Sequence, residues 1–180
     1  MSGVNGKVIM NSMLKVAFVA LMVTTLQAGS GWLTNPVEAR NQARKENKVI
    51  LVDFTGSDWC PPCKRLKAEV FDSPQFDEYA KKKLVLLEVD FPRDKSKLSA
   101  ATHAENARLK QRFRVNSYPT VILLDQNSQE LARMTGFGST SPEAYIEKIE
   151  GYIAKAKSAA ATPAANATPA KPSPGAAAPR

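Results

Sequence analysis

The sequence predicts an α/β fold, a central mixed β-sheet flanked by helices on both faces. Two observations carry that reading. Apolar runs at residues 48–54, 84–91 and 120–125 alternate with segments of helical composition, and the last run is followed by a turn and a further strand-like segment at 130–135. Buried strands alternating with helices imply parallel pairing, and a closing hairpin adds antiparallel strands, so the sheet is mixed.

In chain order, Asn35-Pro36 supplies an N-cap with proline at the first helical position, and the charge-rich segment 36–48 reads as a polar surface helix. Residues 48–54, Lys-Val-Ile-Leu-Val-Asp-Phe, form an almost unbroken run of β-branched and large side chains, as expected of a strand covered on both faces in the middle of a sheet. After Thr55-Gly56-Ser57-Asp58, the tetrapeptide Cys60-Pro61-Pro62-Cys63 leads into residues 64–70, where Cys63, Leu66, Lys67 and Val70 share one face at helical spacing. Ser73-Pro74 repeats the cap-then-proline pattern ahead of a short amphipathic helix carrying Phe76, Tyr79 and Ala80. The second strand, 84–91, is interrupted by Glu88 and ended by Pro92. Residues 98–113 read as a helix with Ala104, Ala107, Leu109 and Phe113 inward. The third strand, 120–125, joins 130–135 through a turn at 126–129. Ser141-Pro142-Glu143 opens a last helix with Tyr145, Ile149, Tyr152 and Ile153 as its apolar stripe. Phe71, Phe76 and Met134 read as core.

At 180 residues the chain has room for one domain plus extensions. The expected domain is 35–157. Residues 1–30 read as a signal peptide: Lys7 and Lys15, then an apolar run at 16–26, then Ala28-Gly29-Ser30. The stretch from Met13 looks more like an ordinary signal start than that from Met1. The alternative, retention as a membrane anchor, is disfavoured because a span needs about 20 predominantly apolar residues. Residues 158–180, built from Ala, Pro, Thr, Ser and Gly with prolines at 163, 169, 172, 174 and 179, are expected to be a disordered tail.

The net charge of +8 invites a nucleic-acid reading. Lys7, Lys15, Lys171 and Arg180 lie in the two ends, where there is no acid; removing those four from the 25 basic residues leaves 21 against 17 acidic ones. That excess forms no basic stripe with interleaved aromatics, so nucleic acid is not an expected partner.

Both cysteines sit in one tetrapeptide, and the only histidine is His103, so the chain alone cannot build a four-ligand zinc site from Cys and His. Lys64, not His, follows Cys63, which excludes a c-type haem. No cofactor or bound metal is expected. A Cys-x-x-Cys where a strand runs into a helix does have a chemical purpose. The helix dipole and free backbone N–H groups favour a thiolate at Cys60, which opens a substrate disulfide; Cys63, one turn on, then attacks Cys60 and releases the product. Pro61 and Pro62 remove two N–H donors from that environment, and Lys64 and Arg65 add positive charge.

Over residues 37–155 the sequence resembles the thioredoxin superfamily, most closely its exported bacterial thioredoxin-like thiol:disulfide oxidoreductases. The resemblance rests on Leu51-Val52-Asp53-Phe54, similar to the family's central strand with its buried acid, on Asp58-Trp59-Cys60-Pro61-Pro62-Cys63-Lys64, similar to its active-site segment, and on Ser117-Tyr118-Pro119-Thr120, similar to its cis-proline loop. It implies a thioredoxin-like fold. It further implies that Asp53 moves the proton of Cys63, that Trp59 flanks the nucleophile, and that Pro119 has a cis peptide and sets backbone groups against an extended substrate. Pro61, Pro62 and Tyr118 join Trp59 and Pro119 as expected substrate contacts. The segment between Asp53 and Cys60 is one residue longer than in ordinary thioredoxins.

The expected function is thiol-disulfide exchange with protein thiols and disulfides by an exported, periplasmic or extracytoplasmic, monomeric protein. With no histidine between the cysteines the balance leans towards reductase, which requires electrons from a membrane donor protein. A copper or zinc carrier using the cysteine pair, and a non-catalytic interaction module, are the alternatives.

Overall fold

The computed structural model describes residues 31–161, and the readings of residues 1–30 and 162–180 lie outside them. The elements are β1 (Trp32–Leu33), α1 (Pro36–Glu46), β2 (Val49–Thr55), α2 (Pro61–Leu66) continuing into a π-helical turn (Lys67–Phe71), α3 (Pro74–Lys83), β3 (Leu84–Asp90), a 3-10 turn (Lys95–Lys97), α4 (Ala100–Arg112), β4 (Thr120–Leu124), β5 (Glu130–Thr135) and α5 (Pro142–Ala161). The expected helix starts are made by side-chain caps: Asn35 accepts from the N–H groups of Val37 and Glu38, and Ser73 from that of Phe76.

The sheet order is β1-β3-β2-β4-β5. β3 pairs in parallel with β1 and β2, whereas β2–β4 and β4–β5 are antiparallel. The mixed sheet therefore forms as expected, with one addition. β1 is two residues long, too short to show a period of two, and nothing in its composition announces it.

Side chains alternate across the sheet. One face carries Ile50, Val52, Phe54, Val85, Leu87, Val89, Ile122 and Leu124, packed with Ala39 and Ala43 of α1 and Leu109 and Phe113 of α4. The other carries Leu51, Leu84, Leu86, Val121 and Leu123 under Leu66, Val70 and Phe71, Phe76 of α3, and Tyr145, Ile149 and Ile153 of α5. Phe54, Leu51, Val52, Ile122 and Leu123 are completely buried, which makes β2 and β4 the centre of the molecule.

Two expectations are corrected. In α4, Ala104 and Ala107 are exposed, and Asn106 is buried instead. The Ser99 cap starts the helix at Ala100, and the phase this sets puts Asn106, Leu109 and Phe113 inward. Asn106 is tolerated there because its Nδ2 donates to the carbonyl of Asp90 at 2.8 Å. At the other end, α5 runs through Ala161, beyond the domain limit of 157. Ser158 and the three alanines after it carry no bar to helix, and the first proline comes only at 163. Among the described residues no helix is long and apolar enough to cross a membrane.

Candidate active site

β2 ends at Thr55, and the chain then turns on Gly56, whose carbonyl accepts from the N–H groups of Trp59 at 3.2 Å and Cys60 at 2.9 Å. A Cβ on Gly56 would lie 2.5 Å from the Trp59 indole, so the ring position requires glycine here. The next three residues are each tied to the last residue of β3 or to the segment that follows it. Ser57 donates through its N–H and its hydroxyl to the Asp90 carboxylate, at 2.8 and 2.6 Å. The Asp58 carboxylate accepts from the N–H groups of Arg93 and Asp94, both at 3.0 Å, with Lys97 at 3.4 Å. Those backbone bonds hold the Asp58 carboxyl down to about 2. Trp59 Nε1 donates to the carbonyl of Phe91 at 2.8 Å. The longer segment is thus a pinned loop whose polar groups are spent on positioning Trp59 and Cys60.

Cys60 is the N-cap of α2, with extended backbone, and Pro61 and Pro62 fill the first two helical positions. Neither proline has an N–H, so of the donors in the first three helical positions only that of Cys63 remains. Cys60 and Cys63 form a disulfide with their Cα atoms 5.3 Å apart. The cysteines are more covered than an attacking sulfur is expected to be: Cys60 is 3 % and Cys63 4 % exposed. Around them Pro61 is exposed, and Pro62 and Trp59 are half-buried.

The Tyr118–Pro119 peptide is cis. Tyr118 reaches the site through its ring, edge-on to Trp59 with centroids 5.7 Å apart and 5.4 Å from Phe91. Two cations rest on this aromatic group, Arg93 over Trp59 at 5.3 Å and Lys110 over Tyr118 at 5.2 Å. Pro119 is buried, and its carbonyl accepts from Gly136 N–H at 2.8 Å. That carbonyl is therefore already engaged within the chain.

Behind the disulfide lies a cleft of about 160 Å³ lined by Asp53, Cys63, Lys67, Trp32, Phe71 and Glu88, among others. Asp53 is 7 % exposed, and its Oδ1 has no hydrogen-bond partner among the described residues. Burial, reinforced by Glu88 and Asp90 and opposed by Lys67, pushes its carboxyl up to about 8. Glu88, half-buried, is raised as well, by burial and by Asp90 against the pull of Lys67. Asp53 and Cys63 line one cleft, which also contains Glu88, Lys67 and Trp32, which had no assigned role. The charged interruption of an otherwise apolar strand was the visible sign of Glu88. Lys67 lines the cleft with Cys63, on the face that helical spacing gives them in common. The π-helical turn, closed by Asp72 N–H to the carbonyl of Lys67 at 2.8 Å, leaves it exposed at the cleft while Phe71 goes inside. His103 contacts the carbonyl of Lys95 at 3.1 Å, away from this group.

Comparison with known proteins agrees with this geometry. Residues 36–161 match the family described as a thioredoxin-like domain. The disulfide bond reductase DsbH of Chlamydia pneumoniae is 33% identical over 116 residues, covering 64% of this chain and 69% of DsbH. The thioredoxin-related protein DsbJ of the same organism is 29% identical over 133 residues, 70% of this chain but only 38% of the length of DsbJ. A solved structure of a DsbH oxidoreductase superposes with a TM-score of 0.64 at 30% identity, covering 68% of this chain and 83% of that one. Sheet order, disulfide at the helix start and these likenesses together make the chain a member of the thioredoxin-like family and a thiol-disulfide oxidoreductase.

Proposed function

We propose that the chain is an exported protein-disulfide reductase in which Cys60 is the attacking thiol and Cys63 the resolving one. The observation that carries the direction is the helix start. A thiolate at an N-cap is stabilised by the N–H groups of the first turn, and here two of the three are replaced by proline. With less stabilisation of the reduced form, the equilibrium shifts towards giving electrons away. The name of the relative DsbH, a disulfide bond reductase, points the same way.

In the forward reaction the Cys60 thiolate attacks one sulfur of a substrate disulfide, and the other sulfur leaves as a thiolate and takes a proton. Cys63, deprotonated with the help of Asp53, then attacks Cys60 Sγ, releasing the second substrate thiol and closing the internal disulfide. Trp59, Pro61, Pro62, Tyr118 and Pro119 border the path by which a substrate chain approaches Cys60. The close cover of Cys60 favours an extended segment over a bulky folded surface, with backbone contacts supplied by Tyr118. An extracytoplasmic reductase is recharged by a membrane donor protein, and the export signal expected in residues 1–30 fits that supply.

Insulin-disulfide reduction tests this. Wild type turns over, Cys60→Ser does not, and Cys63→Ser accumulates a mixed disulfide through Cys60. Full activity in Cys60→Ser overturns the assignment. Tight stoichiometric copper or zinc with little disulfide turnover indicates a metal carrier instead, and partner binding indifferent to loss of both cysteines indicates an interaction module.

A further inference from the structure

The strand register places Asp53 of β2 directly beside Glu88 of β3. Neighbouring strands lie about 4.8 Å apart and paired residues point to the same face, so the two carboxyls share one site. Both line the cleft with Cys63, and they differ in one respect that matters: Asp53 is buried with an unpartnered oxygen, whereas Glu88 is half-exposed. On this face of β3 the first two positions, Leu84 and Leu86, serve the core, and the third, towards the disulfide end, is a glutamate instead of a leucine. We infer that Asp53 and Glu88 act as one proton-carrying pair, in which Glu88 hands to solvent the proton that Asp53 removes from Cys63. This rests on the reading of Cys63 as the resolving thiol.

The step balances without a further reactant. Cys63–SH gives its proton to the Asp53 carboxylate as its sulfur attacks Cys60 Sγ, and the substrate sulfur leaves with the electron pair of the broken S–S bond. Asp53 is then a neutral acid, and the proton passes to the Glu88 carboxylate and on to water in the cleft. In the reverse direction, when the internal disulfide is reduced, the same pair returns a proton to Cys63. One shared proton suits two neighbouring carboxyls, because the first ionisation opposes the second. The other charged and titratable groups around the pair are Asp90 on β3, bonded to Ser57, Lys67 on the π-helical turn, Lys64 on α2 and Tyr145 on α5, whose phenol is raised by burial and by Asp53. Lys67 opposes the proton affinity of both carboxyls. Glu88 is in this account a positioning residue that acts through Asp53.

The test is the pH dependence of the resolving step, measured as release of thiol from a mixed disulfide at Cys60 in single turnover. Wild type shows one inflection set by the pair. Glu88→Gln, which removes a negative neighbour and the exit for the proton, moves the inflection down by about half a pH unit or more and lowers the plateau rate several-fold. Lys67→Gln, at an exposed position where folding is not at stake, moves the inflection up. Asp53→Asn removes it. Unchanged inflections in both Glu88→Gln and Lys67→Gln overturn the inference, and a shifted inflection with an unchanged plateau overturns the carrier role of Glu88. Absence of turnover in wild type instead sinks the reductase reading beneath it, so the two failures are distinct.

Discussion

On the face under α1 and α4, strands β2, β3 and β4 present an apolar set that includes Ile50, Val52, Phe54, Val85, Leu87 and Val89. On the opposite face, alternate residues of β2 and β3 start apolar with Leu51, Leu84 and Leu86 and end as Asp53, Glu88 and Asp90, beside the disulfide. Asp53 and Phe54 are consecutive and almost equally buried, yet one is bonded to nothing at Oδ1 and the other sits edge-on to Phe113 with centroids 6.1 Å apart. The difference shows how the fold separates its tasks. A period of two lets one strand hold the sheet together through one parity and set a proton carrier beneath a cysteine through the other.

The sharpest contrast is in turnover. Cys60→Ser lowers disulfide reduction by roughly a thousandfold or more, about 4 kcal/mol in activation terms. Retained turnover would remove the chemistry from this end of the sheet. Next in size is Phe54→Ala, which empties a fully buried site and costs about 3–5 kcal/mol in urea unfolding. Its turnover retains the wild-type pH profile; a shifted profile would mean that the two faces are not independent.

Asp53→Asn moves stability the other way. A carboxyl whose folded value is raised binds its proton more tightly in the folded state, so its contribution is complete below the unfolded value near 4 and is lost as pH rises towards about 8. The asparagine variant lacks that loss. Its advantage over wild type is absent at pH 4 and grows to as much as about 4 kcal/mol at pH 7, read from paired denaturation curves. A constant offset across that range contradicts a buried, neutral carboxyl. The smallest effect belongs to Pro62→Ala, which restores one N–H beneath Cys60. It lowers the Cys60 thiol value in the reduced protein and makes the couple more oxidising by about 20 mV, with both faces untouched.

Much of this comparison was legible before any coordinates. The apolar runs at 48–54 and 84–91 gave buried strands because both faces are covered, and the cap-proline pairs gave helix starts. Cys60, Cys63, Trp59, Asp53 and Tyr118 gather where the tetrapeptide meets the helix. What escaped was set by tertiary context. β1 is two residues long and exists by pairing with β3. The inward place of Asn106 depends on a distant carbonyl, which no local pattern announces. Glu88 was visible as an interruption, but only the register placed it beside Asp53.

The most direct measurement is a redox titration of the Cys60–Cys63 couple against thiol buffers of known potential, followed by mass after alkylation. The account predicts a reversible two-electron transition on the reducing side, nearer to about −270 mV than to about −120 mV. A disulfide that does not equilibrate with the buffers would show a static crosslink and contradict the account; a reversible transition near the upper value would contradict the direction alone.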